Sequence, residues 1–171
     1  PKACIFDMDG VIVDTVPAHF VAWKSMADEL NIPFNEIDNE QLKGVSRTES
    51  MKRILKMGGQ TRTDEEILEM TNKKNHVYVE IISKMTPDDI LPGVVEFLDL
   101  LKENNIRIAL GSSSKNAPTI LKAIGLEDYF EVSVDGNQIA HSKPHPEVFL
   151  LGADKMGLKP EECVVFEDAI S

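Results

Sequence analysis

Residues 3–15 of the chain read ACIFDMDGVIVDT, and this stretch decides the fold. The apolar run Ala3–Phe6 is too short for a helix and is rich in large apolar side chains, so it predicts a buried strand. Two carboxylates, Asp7 and Asp9, follow it directly. In open parallel sheets the ligand crevice lies beyond the carboxyl ends of the strands, so we expect both acids to face such a crevice.

The Asp-x-Asp pair has two interpretations. It can bind a hard cation such as Mg²⁺ and leave one oxygen of Asp7 free as a nucleophile, with Gly10 allowing a sharp turn beside the site. The alternative is a polar turn after a strand, with no chemical role. The rest of the chain has to decide between them, because a catalytic pair needs partners.

Composition and charge limit the class of protein. The chain has 171 residues, of which 42% are hydrophobic and 27% charged, as in an ordinary globular protein. The net charge of −11, with no basic stripe to offset it, argues against a nucleic-acid binder and means that local cations must bind any anionic substrate. Without a membrane-spanning apolar run or a signal-peptide pattern, we expect a cytoplasmic protein that binds no membrane. We also expect a monomer.

Residues 16–86 show helical periodicity and no parallel-strand pattern, which predicts an all-helical insert. His19 shares a helical stripe with Trp23; a histidine there is usually packed in a core, but its closeness to Asp7 favours a role in the site. Lys74 lies on the apolar stripe of a later helix. It either extends its ammonium group to solvent or, if this face borders a cleft, binds the substrate.

A small glycine loop, LKGVSR at residues 42–47, leads into one of these helices. Ser46 and Glu49 have the spacing of a capping box, which predicts a helix start immediately after Ser46. The free backbone amides there, together with Arg47, can present positive potential to a phosphate. Taken alone, such a loop is weak support for a phosphate site.

From residue 87 onward, helix and strand patterns alternate, which is typical of right-handed βαβ units on a parallel sheet. The expected strand Ile106–Leu110 runs into three serines and a lysine, and the expected strand at residues 163–166 ends in Glu167 and Asp168. A further strand is expected at Tyr129–Val134. Before the next helix, two prolines make a stiff approach that would hold Lys143 near the helix start.

These patterns predict an α/β protein with a Rossmann-like parallel sheet core and an inserted all-helical cap. The core comprises residues 1–15 and 87–171, and the cap comprises residues 16–86. We expect the core to continue beyond residue 171 in a longer protein, because the acidic pair near the end should begin a loop.

The polar positions occur in a characteristic order: Asp7-x-Asp9, then Ser112, then Lys143, then the pair Glu167–Asp168. In this order they resemble the four motifs of the haloacid dehalogenase superfamily. A helical insert between the first and second motifs resembles the helical-cap subclass of that superfamily. Five short motifs are similar to its beta-phosphoglucomutase-like subgroup: DGVIVDT (9–15), LKGVSR (42–47), KKN (73–75), SKN (114–116) and SKP (142–144).

The resemblance implies a phosphotransferase that uses Mg²⁺ and a phosphorylated sugar. Asp7 would attack the phosphoryl group to form an aspartyl-phosphate, and Asp9 would act as general acid and then base. Ser112 and Lys143 would bind the transferring phosphoryl oxygens. By the same resemblance the catalytic group includes Thr15. The implied metal ligands are Asp7, Asp9 (through its carbonyl), Glu167 and Asp168. The implied substrate-binding residues are His19, Trp23, Lys43, Gly44, Val45, Ser46, Arg47, Lys74, Ser114, Lys115 and Asn116.

Three functions remain open at this point. The resemblance favours an isomerase that converts β-D-glucose 1-phosphate to glucose 6-phosphate through a bisphosphate intermediate. A phosphatase would use the same aspartyl-phosphate and let water take the phosphoryl group, and a non-catalytic sensor would only bind the sugar phosphate. The chain carries further cations at Lys43, Arg47, Lys74 and Lys115. They favour the isomerase, because a substrate that rebinds in two orientations needs a second phosphate-binding group.

Overall fold

The computed structural model describes residues 1–168 and divides the chain into two compact units. One unit combines Pro1–Thr15 with the chain from Ser83 onward, and the other is Val16–Ile82. The division after Ile82 is earlier than the expected boundary at residue 86 and falls in the last turn of the helix Asp64–Ser83. Residues 169–171 of the expected core lie outside the described range.

Helices and strands alternate in the first unit. Its elements in chain order are β1 Ala3–Phe6, α5 Val94–Glu103, β2 Arg107–Gly111, α6 Ala117–Ile124, β3 Val132–Val134, α7 Glu147–Lys155 and β4 Cys163–Phe166. The second unit contains helices only, within the described residues: α1 Val16–Glu29, α2 Glu36–Glu40, α3 Arg47–Met57 and α4 Asp64–Ser83. The expected α/β class is confirmed.

The four strands form one parallel sheet in the order β3-β2-β1-β4. In this register Phe6 lies opposite Leu110 of β2 and Phe166 of β4. Parallel strands that end in register deliver the residues that follow them to the same edge of the sheet. Asp7 therefore emerges between the residues that follow β2 and those that follow β4.

Helices pack on both faces of the sheet. Successive side chains of β1 point to opposite faces, and all of them are apolar, so both faces must be covered. On one face Ile5 joins a cluster with Ala153 and Met156, from α7 and its end. On the other face the ring of Phe6 stacks on Phe166 at 4.8 Å and meets Phe97 of α5 edge-on at 6.0 Å. Both faces of β1 are buried, as its apolar sequence predicts.

The helical unit has its own apolar core, which includes Trp23, Met26, Ile54 and Ile67. The start of α3 lies where the loop motif predicts, because the Ser46 hydroxyl accepts a hydrogen bond from the backbone of the third helical residue at 3.2 Å. Within the described range, no helix of either unit combines the length and the apolar character that crossing a membrane requires.

The strand expected at Tyr129–Val134 is too long. Residues Glu127–Tyr129 form a 3-10 turn, and pairing with β2 begins only at Val132. Phe130 contributes to the apolar pattern because its side chain is buried, yet it lies outside the regular strand. A buried side chain in a connecting segment therefore imitated the pattern of a longer strand.

Candidate active site

Asp7 lies at the end of β1 with 7% of its surface exposed. Its backbone N–H donates to the carbonyl of Phe166 at 2.9 Å, which fixes the residue to the neighbouring strand. The Lys143 ammonium lies 2.7 Å from Asp7 Oδ1 and 2.6 Å from Glu167 Oε2. One cation thus bridges two carboxylates that come from opposite ends of the chain, as the motif order led us to expect.

The environment of Asp7 opposes its ionisation. Burial, followed by a hydrogen bond with Glu167, raises the pKa of Asp7 to about 7, although Lys143 acts in the opposite direction. Burial, followed by Glu167, also raises the pKa of Asp168. Burial and the close approach of neighbouring carboxyl groups therefore both disfavour negative charge at this sheet edge.

This crowding fits a divalent metal. Carboxylate oxygens of Asp7, Glu167 and Asp168 all lie within 4.8 Å of one another. Mg²⁺ prefers carboxylate oxygens and is usually bound by one or two of them together with substrate phosphate. The donor set therefore suits the ion that the sequence predicts, and Asp7, Glu167 and Asp168 could each offer it one oxygen.

Gly10 makes room for this cluster. A Cβ atom at this position would lie 2.1 Å from Asp168 Oδ2, and the residue has a φ of +78°, which side chains rarely adopt. Only a residue without a side chain allows the Asp168 carboxylate to approach here. The glycine of the first motif thus serves both the turn and the proposed metal ligand.

Asp9 has separate surroundings. The buried Thr15 hydroxyl donates to Asp9 Oδ1 at 2.9 Å and holds the carboxyl group in place. Burial raises the pKa of Asp9 and outweighs the opposing effect of Thr15. A positioned carboxyl group with a raised pKa holds its proton more firmly than an ordinary aspartate, which suits a general acid. Thr15 acquires a specific role as the group that orients Asp9.

The loop after β2 contains the serines of the expected anion site. Ser112 is buried, and its hydroxyl oxygen accepts a hydrogen bond from the Ser114 backbone N–H at 3.2 Å. Ser114 in turn accepts one from the Asn116 backbone at 3.1 Å, just before α6. These turns order the loop, and each hydroxyl keeps a proton that it can donate to a ligand.

Ser113 is a residue that the sequence reasoning did not select. Its hydroxyl oxygen accepts a hydrogen bond from the Lys143 backbone N–H at 3.2 Å, so the serine loop holds the lysine segment. Gly136 packs against the same loop, since a Cβ there would lie 2.3 Å from the Ser113 carbonyl oxygen. The run of three serines was the available signal for Ser113; Gly136 gave only the signal of an ordinary turn.

A buried polar group lies in the helical unit. Lys74 is only 3% exposed, and its ammonium lies 3.0 Å from His19 Nδ1 and 4.6 Å from the centre of the Trp23 ring. Burial, followed by the charge of Arg47, lowers the pKa of Lys74 to about 7. Burial also lowers the pKa of His19 to about 3, so this imidazole is neutral. The solvent-extended alternative for Lys74 is therefore wrong.

The glycine loop lies in the same unit. Lys43 is exposed and pairs with Glu40 at 3.2 Å, while Gly44 and Ser46 are also exposed and Val45 is half-buried. Arg47 is half-buried at the start of α3 and, within the described part of the chain, forms no ion pair. Its guanidinium charge is thus available to a ligand.

Comparisons with known proteins agree with this geometry. The model of the haloacid dehalogenase-like hydrolase family matches residues 1–171. A beta-phosphoglucomutase of Bacillus subtilis is 47% identical over 98% of this chain and 75% of its own length. A phosphorylated carbohydrates phosphatase of Thermotoga maritima is 34% identical over 99% and 77%. The crystal structure of beta-phosphoglucomutase from Clostridium difficile matches with a TM-score of 0.84 and 42% identity, over 98% of this chain and 76% of that one.

Proposed function

The chain belongs to the haloacid dehalogenase-like hydrolases, and from this premise we propose that it isomerises β-D-glucose 1-phosphate to glucose 6-phosphate through a bisphosphate intermediate. The observation that carries the proposal is the Lys143 ammonium placed between Asp7 and Glu167, with Asp9 oriented separately by Thr15. This arrangement supplies a nucleophile, a cation and an acid at one edge of the sheet. Location in the cytoplasm and a monomeric state belong to the same proposal.

In the step that loads the enzyme, an Asp7 oxygen attacks a phosphorus atom of the sugar bisphosphate while the bond from that phosphorus to the sugar oxygen breaks, which leaves a sugar monophosphate and a phosphorylated Asp7. Asp9 donates its proton to the departing sugar oxygen, a role that the burial-raised pKa of its carboxyl group favours. In the return step Asp9 takes the proton from the 6-hydroxyl of β-D-glucose 1-phosphate, which attacks the phosphoryl group on Asp7 while the bond from that group to Asp7 breaks, so that the bisphosphate forms again. Each transfer therefore conserves both the phosphoryl group and the proton.

The remaining residues bind charge. Lys143 and Ser112 would contact the oxygens of the transferring phosphoryl group, where negative charge is concentrated in the transition state. Mg²⁺ held by Asp7 and Asp168, with Glu167 beside it, would polarise the phosphoryl group and lower the repulsion between it and the carboxylates. In the absence of such a cation, the raised pKa of Asp7 would leave the nucleophile partly protonated near pH 7.

A bisphosphate intermediate also requires a second phosphate-binding group. We assign it to the helical unit, acting as a cap, with Arg47 as the main cation and Lys43, Gly44, Val45 and Ser46 as its loop. His19, Trp23 and Lys74 would border the sugar. Ser114, Lys115 and Asn116 after β2 would serve the same non-reacting phosphate. These assignments rest on the sequence resemblance and on the charges of the described residues.

A sugar-phosphate phosphatase is the second candidate. It is favoured by the similarity to the Thermotoga maritima phosphatase, and it would use the same Asp7 and Asp9. The two functions differ only in whether a sugar hydroxyl or water takes the phosphoryl group from Asp7. The higher identity to the Bacillus subtilis beta-phosphoglucomutase, 47% against 34%, supports the isomerase.

The test is an assay of the chain with β-D-glucose 1-phosphate, a trace of the 1,6-bisphosphate and Mg²⁺, in which glucose 6-phosphate and free phosphate are measured together. We expect glucose 6-phosphate to form much faster than phosphate. Asp9→Asn should lower the rate of glucose 6-phosphate formation by about two to four decades, the usual contribution of general acid–base catalysis. Release of phosphate from many sugar phosphates at comparable rates, with no glucose 6-phosphate, would replace the isomerase by the phosphatase.

A further inference from the structure

A second group of potential metal ligands lies on the segment that carries Lys143. His141, His145 and Glu147 each offer a ligand atom, and these atoms lie within 4.8 Å of one another. The two imidazole rings stack with their centres 4.7 Å apart. None of the three belongs to the expected catalytic, metal or substrate groups. Two imidazoles and one carboxylate form a typical donor set for zinc and related transition metals, whereas Mg²⁺ prefers oxygen ligands.

We propose that His141, His145 and Glu147 form a binding site for a borderline divalent ion of the Zn²⁺ class, separate from the carboxylate cluster around Asp7. The two sites share no residue, and they differ in donor type. The carboxylate cluster offers oxygen atoms, whereas this site offers two nitrogen atoms and one carboxylate.

The geometry of one pair already suits such an ion. His141 Nδ1 lies 3.5 Å from Glu147 Oε2. A tetrahedral Zn²⁺ with ligands about 2.0–2.2 Å away holds neighbouring donor atoms roughly 3.3–3.6 Å apart. The pair therefore has nearly the separation that it would have when both atoms bind one ion.

Backbone hydrogen bonds place the carboxylate before any ion arrives. The Glu147 carboxylate accepts hydrogen bonds from the backbone amides of Ala140 and His141, where the segment begins. A ligand held in this way loses little freedom on binding, since its orientation is already determined by other contacts. Glu147 is thus a prepared ligand, and His141 lies beside it with 67% of its side chain exposed.

His145 completes the set after one local change. Its Nδ1 accepts a hydrogen bond from the Glu147 backbone N–H at 3.1 Å. This bond must be released before either ring nitrogen binds a metal. If Nε2 binds the ion, Nδ1 carries the proton and can no longer accept a hydrogen bond; if Nδ1 binds the ion, its lone pair is already used. The bond is exposed, so water can replace it when the imidazole turns toward the ion.

The position of the site gives the ion a consequence. His141 precedes Lys143 by two residues and His145 follows it by two. An ion bound by both histidines would therefore restrict the motion of the backbone on both sides of the lysine. Lys143 is already held by Ser113 at its backbone and by Asp7 at its ammonium. Bound Zn²⁺ should therefore slow amide hydrogen exchange across residues 140–147.

The experiment is calorimetric titration of Zn²⁺ into the full chain with Mg²⁺ in excess, so that the carboxylate cluster is occupied. His141→Asn and His145→Asn should each weaken Zn²⁺ binding at least about tenfold, the loss that even an outer-shell change causes at metal sites. The control is His76→Asn, which changes an exposed histidine of α4 and should leave the affinity unchanged.

Hydrogen exchange with and without Zn²⁺ provides a readout that needs no turnover, so its failure is distinct from failure of the proposed isomerase. We expect protection at residues 140–147 in the parent chain and none in His141→Asn. The proposal is overturned if the parent takes up no Zn²⁺ beside Mg²⁺. It is also overturned if both histidine variants bind Zn²⁺ as the parent does, which would indicate adventitious binding elsewhere.

Discussion

At Asp7, burial works against the charge that a nucleophile needs. The carboxyl group has a pKa of about 7 instead of its ordinary value of 3.8, so the folded protein holds a proton there that the unfolded chain has already lost between those values. Stability therefore falls as the pH rises through this window, because the folded state binds more protons than the unfolded state. The structure keeps an acid whose ionisation weakens the fold, as expected of a functional group.

Replacement of Asp7 by asparagine should consequently stabilise the protein when no divalent cation is present. In chelator at pH 8, Asp7→Asn should unfold at a higher temperature than the parent, and the difference should shrink below pH 7 and vanish near pH 4. Thermal unfolding followed by circular dichroism across this range measures it. Asp154→Asn, an exposed change on α7, is the control; an equal gain there, or a loss in Asp7→Asn at pH 8, would contradict the expected effect.

Gly10 leaves the space that the Asp168 carboxylate occupies. A methyl group at Gly10 would collide with the Asp168 carboxylate, so Gly10→Ala should move this ligand and weaken Mg²⁺ binding by about 10- to 100-fold. Calorimetric titration with Mg²⁺ measures the change. Gly157→Ala is the matched control, because its φ is also positive, at +70°, but a Cβ there meets nothing within 4 Å. Equal Mg²⁺ affinities in both variants would remove the steric explanation.

Among the elements, α4 carries the clearest conflict between stability and function. Lys74 is buried against two aromatic rings and a neutral imidazole, and its pKa falls from 10.5 to about 7. Below pH 7 both the folded and the unfolded state are protonated, so the full cost of burying the charge is present. That cost declines as the pH rises from 7 toward 10.5 and the folded protein loses the proton.

Lys74→Met should therefore raise the unfolding temperature at pH 6–7, by an amount that decreases toward pH 10, while it lowers turnover of the sugar phosphate. Thermal unfolding and the glucose 6-phosphate assay measure the two effects. Lys73→Met removes an exposed lysine of the same helix that pairs with Glu29, and it should change both quantities little. A destabilised Lys74→Met protein at pH 6 would show that the ammonium stabilises the helical unit.

Helix α3 tests the difference between isomerase and phosphatase. The Arg47 guanidinium at its start should bind the phosphate that does not react, which matters for a bisphosphate far more than for hydrolysis of a monophosphate. Arg47→Ala should lower glucose 6-phosphate formation strongly while slow phosphate release persists or rises. Arg53→Ala on the same helix, which removes an exposed side chain, should leave the ratio of products unchanged. Equal loss of both products in Arg47→Ala would contradict the assignment.

At the scale of the whole molecule, the parallel sheet explains how residues far apart in the chain meet. The register places Phe6 between Leu110 and Phe166, so Asp7, the serine loop and Glu167 follow strands that end together. Apolar runs ending in polar residues made these strands and their edge predictable. The start of α3 immediately after Ser46 also followed from local pattern, because Ser46 and Glu49 have the spacing of a capping box.

Other features depend on contacts between distant residues and could not be predicted. The burial of Lys74 is determined by its partners on α1, and the need for Gly10 is determined by Asp168. The grouping of His141 with Glu147 depends on how the segment before α7 folds back on itself. Residue types and their spacing can identify such positions, but they do not predict which other side chains contact them.

Every other role at the site depends on transfer of the phosphoryl group to Asp7. The most direct measurement is mass spectrometry of the chain, acid-quenched after mixing with β-glucose 1,6-bisphosphate and Mg²⁺, followed by peptide mapping. The nucleophilic role of Asp7 predicts one added phosphoryl group on the peptide containing Asp7, and none in Asp7→Asn or in chelator. A phosphoryl group on another residue, or an Asp7→Asn chain that still forms glucose 6-phosphate, would contradict it.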